Sequence, residues 1–251
     1  DLKHFTNEQL CNHYAEYGKR EGRICSKMTN RIKLVQCIDK TLKCLEIGPF
    51  DCPVLTGSNV KYFDVLDKDA LKARAIKCSR NFNNVPYIDY IDDKGNLNII
   101  DDKFDVVLSC HSIEHQLNFI KHLNAVSRLL TDNGAYVIIC PDKRYCFDHF
   151  IKETTIADII NMNYINNEKH TIKSVIEHRA LTCHNDCVRH WNNDHGCQNI
   201  TNLKNAINEY ENTDGYIDVH SLQFTPDSFL NVIDILNKNN FIDLYCDRVY
   251  P

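Results

Sequence analysis

Residues 103–116 read KFDVVLSCHSIEHQ, and this stretch decides the fold. After Asp105 it is almost wholly apolar through Cys110, as a strand buried on both faces of a parallel sheet must be. It then breaks into His111-Ser112-Ile113-Glu114-His115, and HQLNFIKHLNAVSRLL (115–130) follows with Leu117, Ile120, Leu123 and Val126 at helical spacing. Asp132-Asn133-Gly134 marks a turn and AYVIICP (135–141) a further strand. Upstream, LKCLEIG (42–48), VKYFDVLD (60–67) and VPYIDYI (85–91) read as strands. DALKARAIKCS reads as a helix with Leu71 and Ala75 on one face. Downstream, Thr225-Pro226 starts a helix to about Lys238, and FIDLYCDRVY (241–250) reads as the last strand. Strands separated by helices imply right-handed crossovers, hence an α/β, doubly wound, mostly parallel sheet of the Rossmann-like kind.

The domain plan is an N-terminal appendage over 1–39 and a main domain over 40–251, with a helical, His-rich insertion or lid at about 142–220. In the appendage Thr6 and Gln9 have capping-box spacing, and Leu10, Tyr14 and Tyr17 share one helix face. The chain begins at Asp1 without Met, which suggests a piece cut from a longer polypeptide, in keeping with a multidomain parent, or else a processed chain.

Of 251 residues, 43% are hydrophobic and 25% charged, which excludes a disordered or collagen-like chain. Lys+Arg 29 against Asp+Glu 34 gives a net charge of -5 with no basic run, a poor basis for nucleic-acid binding. No apolar run approaches the roughly 18–20 residues of a membrane span. The 13 cysteines are odd in number, contain no C-x-x-C and mostly sit in apolar runs, as with Cys44, Cys110 and Cys140. They read as buried thiols in a reducing, cytoplasmic compartment.

Ligands of a doubly wound sheet bind at the carboxyl ends of its strands. The first strand ends in Glu46-Ile47-Gly48-Pro49-Phe50, and the second carries Asp64, whose carboxylate suits two ribose hydroxyls. Gly48 is followed by no glycine until Gly57, so the G-x-G-x-x-G cradle for a pyrophosphate is missing. A nucleoside without phosphate fits better, and S-adenosylmethionine is such a ligand.

LEIGP, YFDVLD, FDVVLSCHSIEHQ and SRLLTDNGAYVIICPDKRYCFDHF together resemble class I S-adenosylmethionine-dependent methyltransferases of the "type 11" group. IEHRALTCHND, RHWNNDHG and GYIDVHSLQFTPDSF extend the resemblance, over about 40 to 250, to a subgroup associated with surface-glycan biosynthesis. The resemblance implies that Glu46 and Gly48, with Pro49 and Phe50, shape the loop under the methionine part of the cofactor. It further implies that Asp64 holds the ribose, the segment around Leu97 walls the adenine, Ser109 and Cys110 line the cofactor, and His111 faces the methyl. The chain departs from the group's pattern in lacking a second glycine in the first motif, a full helix before strand two and a seventh strand.

Methyl transfer to a sugar or nucleotide-sugar hydroxyl needs a general base or a metal. His111 and His115 follow strand four and are the first candidates; for His115 the competing reading is a helix cap. His111-Ser112-Ile113-Glu114-His115 also spells H-x-x-E-H, but a motif that ends a buried strand does not suit a peptidase. A divalent metal at Glu114 and His115 stays open, and no metal ligand is assigned. Asp142, Lys143, Arg144, Tyr145, Phe147, Asp148 and His149 form a second cluster suited to a hydroxyl-rich acceptor, with His149 a further catalytic candidate. In the insertion, His178, His184, Asp186 and His195, with Trp191 and later His220, read as a lid over the acceptor. Cys183, Cys187, His190 and Cys197 read as a weaker zinc alternative. His4, His13, His122 and His170 read as surface groups.

Overall fold

A computed structural model of the chain describes residues 31–250 together with Gln9, His13, Glu16 and Tyr17. The capping box at Thr6 and most of the first predicted helix lie outside the described residues. The chain divides into two units, Lys40–Val249 and Asp1–Asp39 with Tyr250–Pro251. In the smaller unit, α1 (Arg31–Gln36) buries no side chain.

The larger unit is built on β1 (Cys44–Ile47), β2 (Val60–Asp64), α2 (Lys68–Lys77), β3 (Tyr90–Ile91), β4 (Phe104–Cys110), α3 (Phe119–Leu129) and β5 (Leu130–Ile139). The five strands are all parallel in the order β3-β2-β1-β4-β5. That is a doubly wound, Rossmann-like sheet whose order reverses between β1 and β4. Beyond it run α4 (Ile156–Ile165), α5 (Ile172–Ala180), α6 (Cys187–Trp191), α7 (Leu203–Glu211) and α8 (Pro226–Lys238). Among the described residues no helix is long and apolar enough to cross a membrane.

The apolar pattern accounts for the packing. Leu45, Ile47 and Val107 of the sheet pack with Val126 and Leu129 of α3, all under 5% exposed. Phe119, Ile120 and Leu123 on the same helix meet Val232, Ile233 and Leu236 of α8 and Ile159 of α4. Leu71 and Ala75 of α2 close over Val85 and Ile88. Each fully buried Leu, Ile or Phe contributes roughly 1.5–3 kcal/mol.

Four expected elements differ. The third strand shrinks to Tyr90–Ile91, because the Asp89 carboxylate accepts the Tyr62 N–H at 3.0 Å where a partner strand's carbonyl would, and Pro86 offers no N–H. The helix after β4 begins at Phe119, with Asn118 accepting the Lys121 N–H, so Leu117 and His115 precede it. The expected turn at Asp132-Asn133-Gly134 lies inside β5 as an irregularity, since Phe104 pairs with Leu130 and Val106 with Ala135. The last strand does not form. Ile242, Leu244 and Cys246 alternate inward, but the Asn237 side-chain amide donates to the carbonyls of Ile242 and Leu244 (3.4 and 3.2 Å), acceptors that a ladder would use.

Between β1 and β2 no helix intervenes. The connection is held by Glu46, 1% exposed, whose carboxylate accepts the N–H groups of Val54 and Leu55, each at 2.8 Å.

Candidate active site

Three strand ends meet where the sheet order reverses. Gly48 leaves β1 at φ +69°, a conformation favouring glycine, and donates its N–H to the Phe63 carbonyl at 2.9 Å. A Cβ built on it would lie 3.7 Å from Ser112 Oγ, so the loops after β1 and β4 touch. Phe50 is also left-handed, at φ +44°, its ring between the guanidinium groups of Arg74 and Arg80 at 5.3 and 5.4 Å. Asp64, at the end of β2, is 7% exposed. Burial pushes its carboxyl up, while the N–H groups of Leu66, Val65 and Phe50 and the nearby Arg74 pull it back.

At the end of β4 His111 is left-handed (φ +52°) and donates its N–H to the Ile139 carbonyl at 2.8 Å. Its side chain is 56% exposed, and its Nδ1 lies 3.6 Å from Glu114 Oε1. Glu114, in the short 3-10 turn Ile113–His115, is 1% exposed. Neither of its carboxylate oxygens has a hydrogen-bond partner. Burial alone would raise its pKa, but the imidazoles of His111, His115 and His220 outweigh burial and hold it low.

His115 faces inward. Its Nδ1 is 3.1 Å from Asp218 Oδ1, and its ring meets His220 edge-on with centroids 4.6 Å apart. Burial lowers its pKa, yet Asp218, Glu114 and Asp148 together raise it. Asp218 is held well below the usual carboxylate range by His115 and by Arg74, with which it pairs. His220, 6% exposed, has Nδ1 2.6 Å from Asp148 Oδ2 and Nε2 3.8 Å from Glu114 Oε1. Its backbone N–H donates to His178 Nδ1 at 2.9 Å. His178 is thus neutral, pushed down to about 3 by burial and then by the neighbouring His220 and Arg179.

These residues lie on segments stitched together by backbone. Ser221 and Leu222 donate their N–H groups to the Glu114 carbonyl (2.9 and 3.1 Å), and Lys143 donates to the Phe224 carbonyl at 2.9 Å. Asp218 and His220 fall on one side of an extended run whose alternate residues, Ile217 and Val219, are buried.

The structure brings His111, His115, Asp148, His178 and His220 of the sequence-read candidates around Glu114. Others it places elsewhere. Ser109 is 1% exposed with its hydroxyl 2.8 Å from the Tyr136 hydroxyl, which in turn is 2.8 Å from His122 Nε2. On a strand of period two it shares the α3 face with Val107, so the cofactor-lining role fails for its side chain. Half-buried Cys110 ends the strand on the other face. Leu97, 2% exposed, packs among Leu45, Ile47 and Phe104 as a core group, which removes its side chain from an adenine wall. The carboxylate of Asp142 pairs with the Arg144 guanidinium, Nε to Oδ2 at 3.0 Å. Tyr145 and Trp191 meet with their rings tilted by 38° and centroids 5.1 Å apart; the indole is 73% exposed.

His149, His195 and His190 form a separate array. His149 and His195 stack at 3.6 Å, and His190 Nδ1 is 2.9 Å from His195 Nδ1. His149 Nδ1 donates to the Arg144 carbonyl at 2.9 Å. His184 donates to the Asp194 carbonyl and accepts the Asp186 N–H, while Asp186 caps α6, so both are taken up by the local structure of residues 184–194. The four-ligand zinc alternative does not assemble: Cys183 is buried near His190, whereas Cys187 and Cys197 are exposed. His122 and His170, read as surface groups, are 7% and 2% exposed.

Sequence reasoning left Glu114 a minor part and missed Asp218 and Arg74. The Asp-Val-His alternation at 218–220 was the available signal. A hollow of about 430 Å³ lies along α4 by Ile156, Ile160 and Tyr164, but it holds no acid–base pair and none of these residues.

Residues 53–138 match the family described as "Methyltransferase domain", a stretch that takes in Asp64, His111 and Glu114 but not Gly48. The structure of the CcbJ methyltransferase from Streptomyces caelestis is similar at 17% identity, covering 46% of this chain and 52% of that one, with a TM-score of 0.34. An S-adenosylmethionine-dependent methyltransferase from Clostridium acetobutylicum is similar at 15% identity, covering 59% and 62%, with a TM-score of 0.33. The chain thus spans between half and two thirds of the length of these solved structures, and likenesses at such scores carry no argument. No curated protein matches. The matched residues 53–138 run from just ahead of β2 into β5, so they take in most of the parallel sheet.

Proposed function

We propose that the protein transfers the methyl group of S-adenosylmethionine to an oxygen of a sugar hydroxyl, on a glycan or a nucleotide-sugar. The observation that carries this reading is the partly exposed His111 imidazole, backed by the buried Glu114 carboxylate at the end of β4, beside the loop after β1. Methyl transfer is an in-line displacement, so the acceptor must be held opposite the sulfonium and lose its proton as it attacks. His111 takes that proton, and Glu114 stabilises the imidazolium that results. Gly48, Pro49 and Phe50 form the loop against the cofactor, and Asp64 accepts from its ribose hydroxyls.

The sugar preference has its own support. Trp191, exposed beside Tyr145, offers an aromatic surface of the kind that suits the apolar face of a sugar ring. The 13 cysteines of the sequence, most in apolar runs and none in a C-x-x-C, support a reducing, cytoplasmic setting. A place within a larger glycan-synthesis protein belongs to the same reading.

Titration calorimetry with S-adenosylmethionine and its demethylated product is the first test, followed by mass spectrometry of nucleotide-sugars incubated with labelled cofactor. Binding together with transfer that collapses in His111→Ala is expected. An absence of binding at millimolar cofactor removes the reading altogether. Label recovered on an amino group replaces the oxygen acceptor with nitrogen.

A further inference from the structure

We propose that Glu114, His115 and His220 form a binding site for one divalent first-row transition-metal cation, with Asp148 and Asp218 orienting the two imidazoles. The first ground is a pair of buried carboxylates short of hydrogen bonds. Both Glu114 oxygens and Asp148 Oδ1 are buried without a hydrogen-bond partner, on side chains 1% and 2% exposed. A carboxylate in that position is strongly destabilising unless a cation meets it.

The second ground is direction. His220 Nδ1 is 2.6 Å from a carboxylate oxygen of Asp148 and so carries the proton. Its Nε2 lone pair then faces Glu114 Oε1 across 3.8 Å, which is beyond hydrogen-bond reach. Two coordination bonds of about 2.0–2.2 Å, bent at the metal, span such a gap. His115 also has a carboxylate beside it, with Nδ1 3.1 Å from Asp218 Oδ1, yet that buried nitrogen makes no hydrogen bond. One ligand atom from each of the three residues lies within 4.8 Å of the others. A carboxylate behind each ligating histidine is the usual way a metal site fixes tautomer and ring orientation.

The third ground is rigidity. The Glu114 carbonyl accepts the N–H groups of Ser221 and Leu222, so the peptide bearing Glu114 is tied to the strip bearing His220. Asp218 is in turn held by Arg74. Two imidazoles with one carboxylate suit zinc, manganese, cobalt or iron(II), and suit magnesium and calcium poorly. Three protein ligands leave coordination positions open. On the function proposed above, an acceptor hydroxyl placed there loses its proton more readily, with His111 as the receiving base.

The test uses the whole chain, stripped with chelator and titrated with Zn²⁺ by calorimetry and with Co²⁺ by visible absorption. One equivalent is expected, with cobalt bands of a site containing nitrogen ligands. Asp148→Asn should weaken binding about 10–100-fold, and Glu114→Gln and His220→Ala should weaken it further. Melting each metal-free variant beside metal-free wild type, and confirming a folded circular-dichroism spectrum at the titration temperature, separates lost binding from lost folding. His195→Ala, in the neighbouring histidine array, should bind as wild type does. No uptake of either ion at millimolar concentration overturns the proposal, as does uptake that survives Glu114→Gln and His220→Ala but is abolished by His195→Ala. Ion binding is read without cofactor or acceptor. Retained metal with no S-adenosylmethionine binding therefore rejects the methyltransfer reading alone, and the reverse rejects the metal site alone.

Discussion

His122 gives the sharpest stability prediction. It lies on the buried face of α3, 7% exposed, with Nε2 2.8 Å from the Tyr136 hydroxyl, and burial pushes its pKa down to about 4. An unfolded histidine titrates near 6.5. Between these values the folded state binds fewer protons than the unfolded chain, so stability rises with pH across the window. The contribution is complete above about pH 6.5 and is lost as pH falls toward about 4. The full span, about 2.5 pH units at 1.36 kcal/mol each, amounts to about 3 kcal/mol. Roughly 2 kcal/mol of it should be lost between about pH 7 and about pH 4.5. Urea unfolding followed by circular dichroism at a series of pH values measures this for wild type and His122→Gln, whose amide can still meet Tyr136 but does not titrate. The difference between the two should shrink or reverse in the variant's favour by that amount on acidification. A difference that stays flat with pH refutes the reasoning.

Asp64→Ala should weaken S-adenosylmethionine binding by about 100-fold in calorimetry, the loss of hydrogen bonds to a charged acceptor at about 1.5–3 kcal/mol each. Unchanged affinity would reject the ribose role. Ser109→Ala should leave cofactor affinity as it is and cost about 1 kcal/mol of stability, since its hydroxyl serves Tyr136; a large affinity loss would return Ser109 to the cofactor. Gly196→Ala should loosen the lid, because Gly196 sits at φ +64° and a Cβ there would come 2.9 Å from His184 Cδ2. Limited proteolysis should then cut within 181–199 sooner than in wild type, and an unaltered pattern would count against that packing.

The sheet was legible because burial on both faces leaves a local mark. KFDVVLSC and LKCLEIG carry it, and they became β4 and β1. Alternation tells which way a side chain points but not whether the backbone finds a ladder. FIDLYCDRVY accordingly turned Ile242 inward, and Leu244 partly so, without becoming a strand. The same parity, applied to β4, would have turned Ser109 away from the ligand side. His111 was legible as the residue leaving a buried strand. The Glu114 centre was less so, because Asp148, Asp218 and His220 reach it from segments about 34 to 106 positions away, and only tertiary packing joins them. His122 and His170 looked like surface groups because polarity suggests solvent, whereas a helix face through Phe119 and Leu123 carries His122 inward.

The helix-free link between β1 and β2 has an electrostatic consequence. A helix starting there would present about half a unit of positive charge at its N-terminus, which attracts phosphates and repels cations. This chain has no such pole, and the carboxylates of Glu46, Asp51 and Asp64 are buried around the same link, 1%, 6% and 7% exposed. Of these, Asp51 is offset by its ion pair with Arg80. On the function proposed above, a link without that pole suits a positively charged sulfur better than a pyrophosphate, through a piece of secondary structure left out.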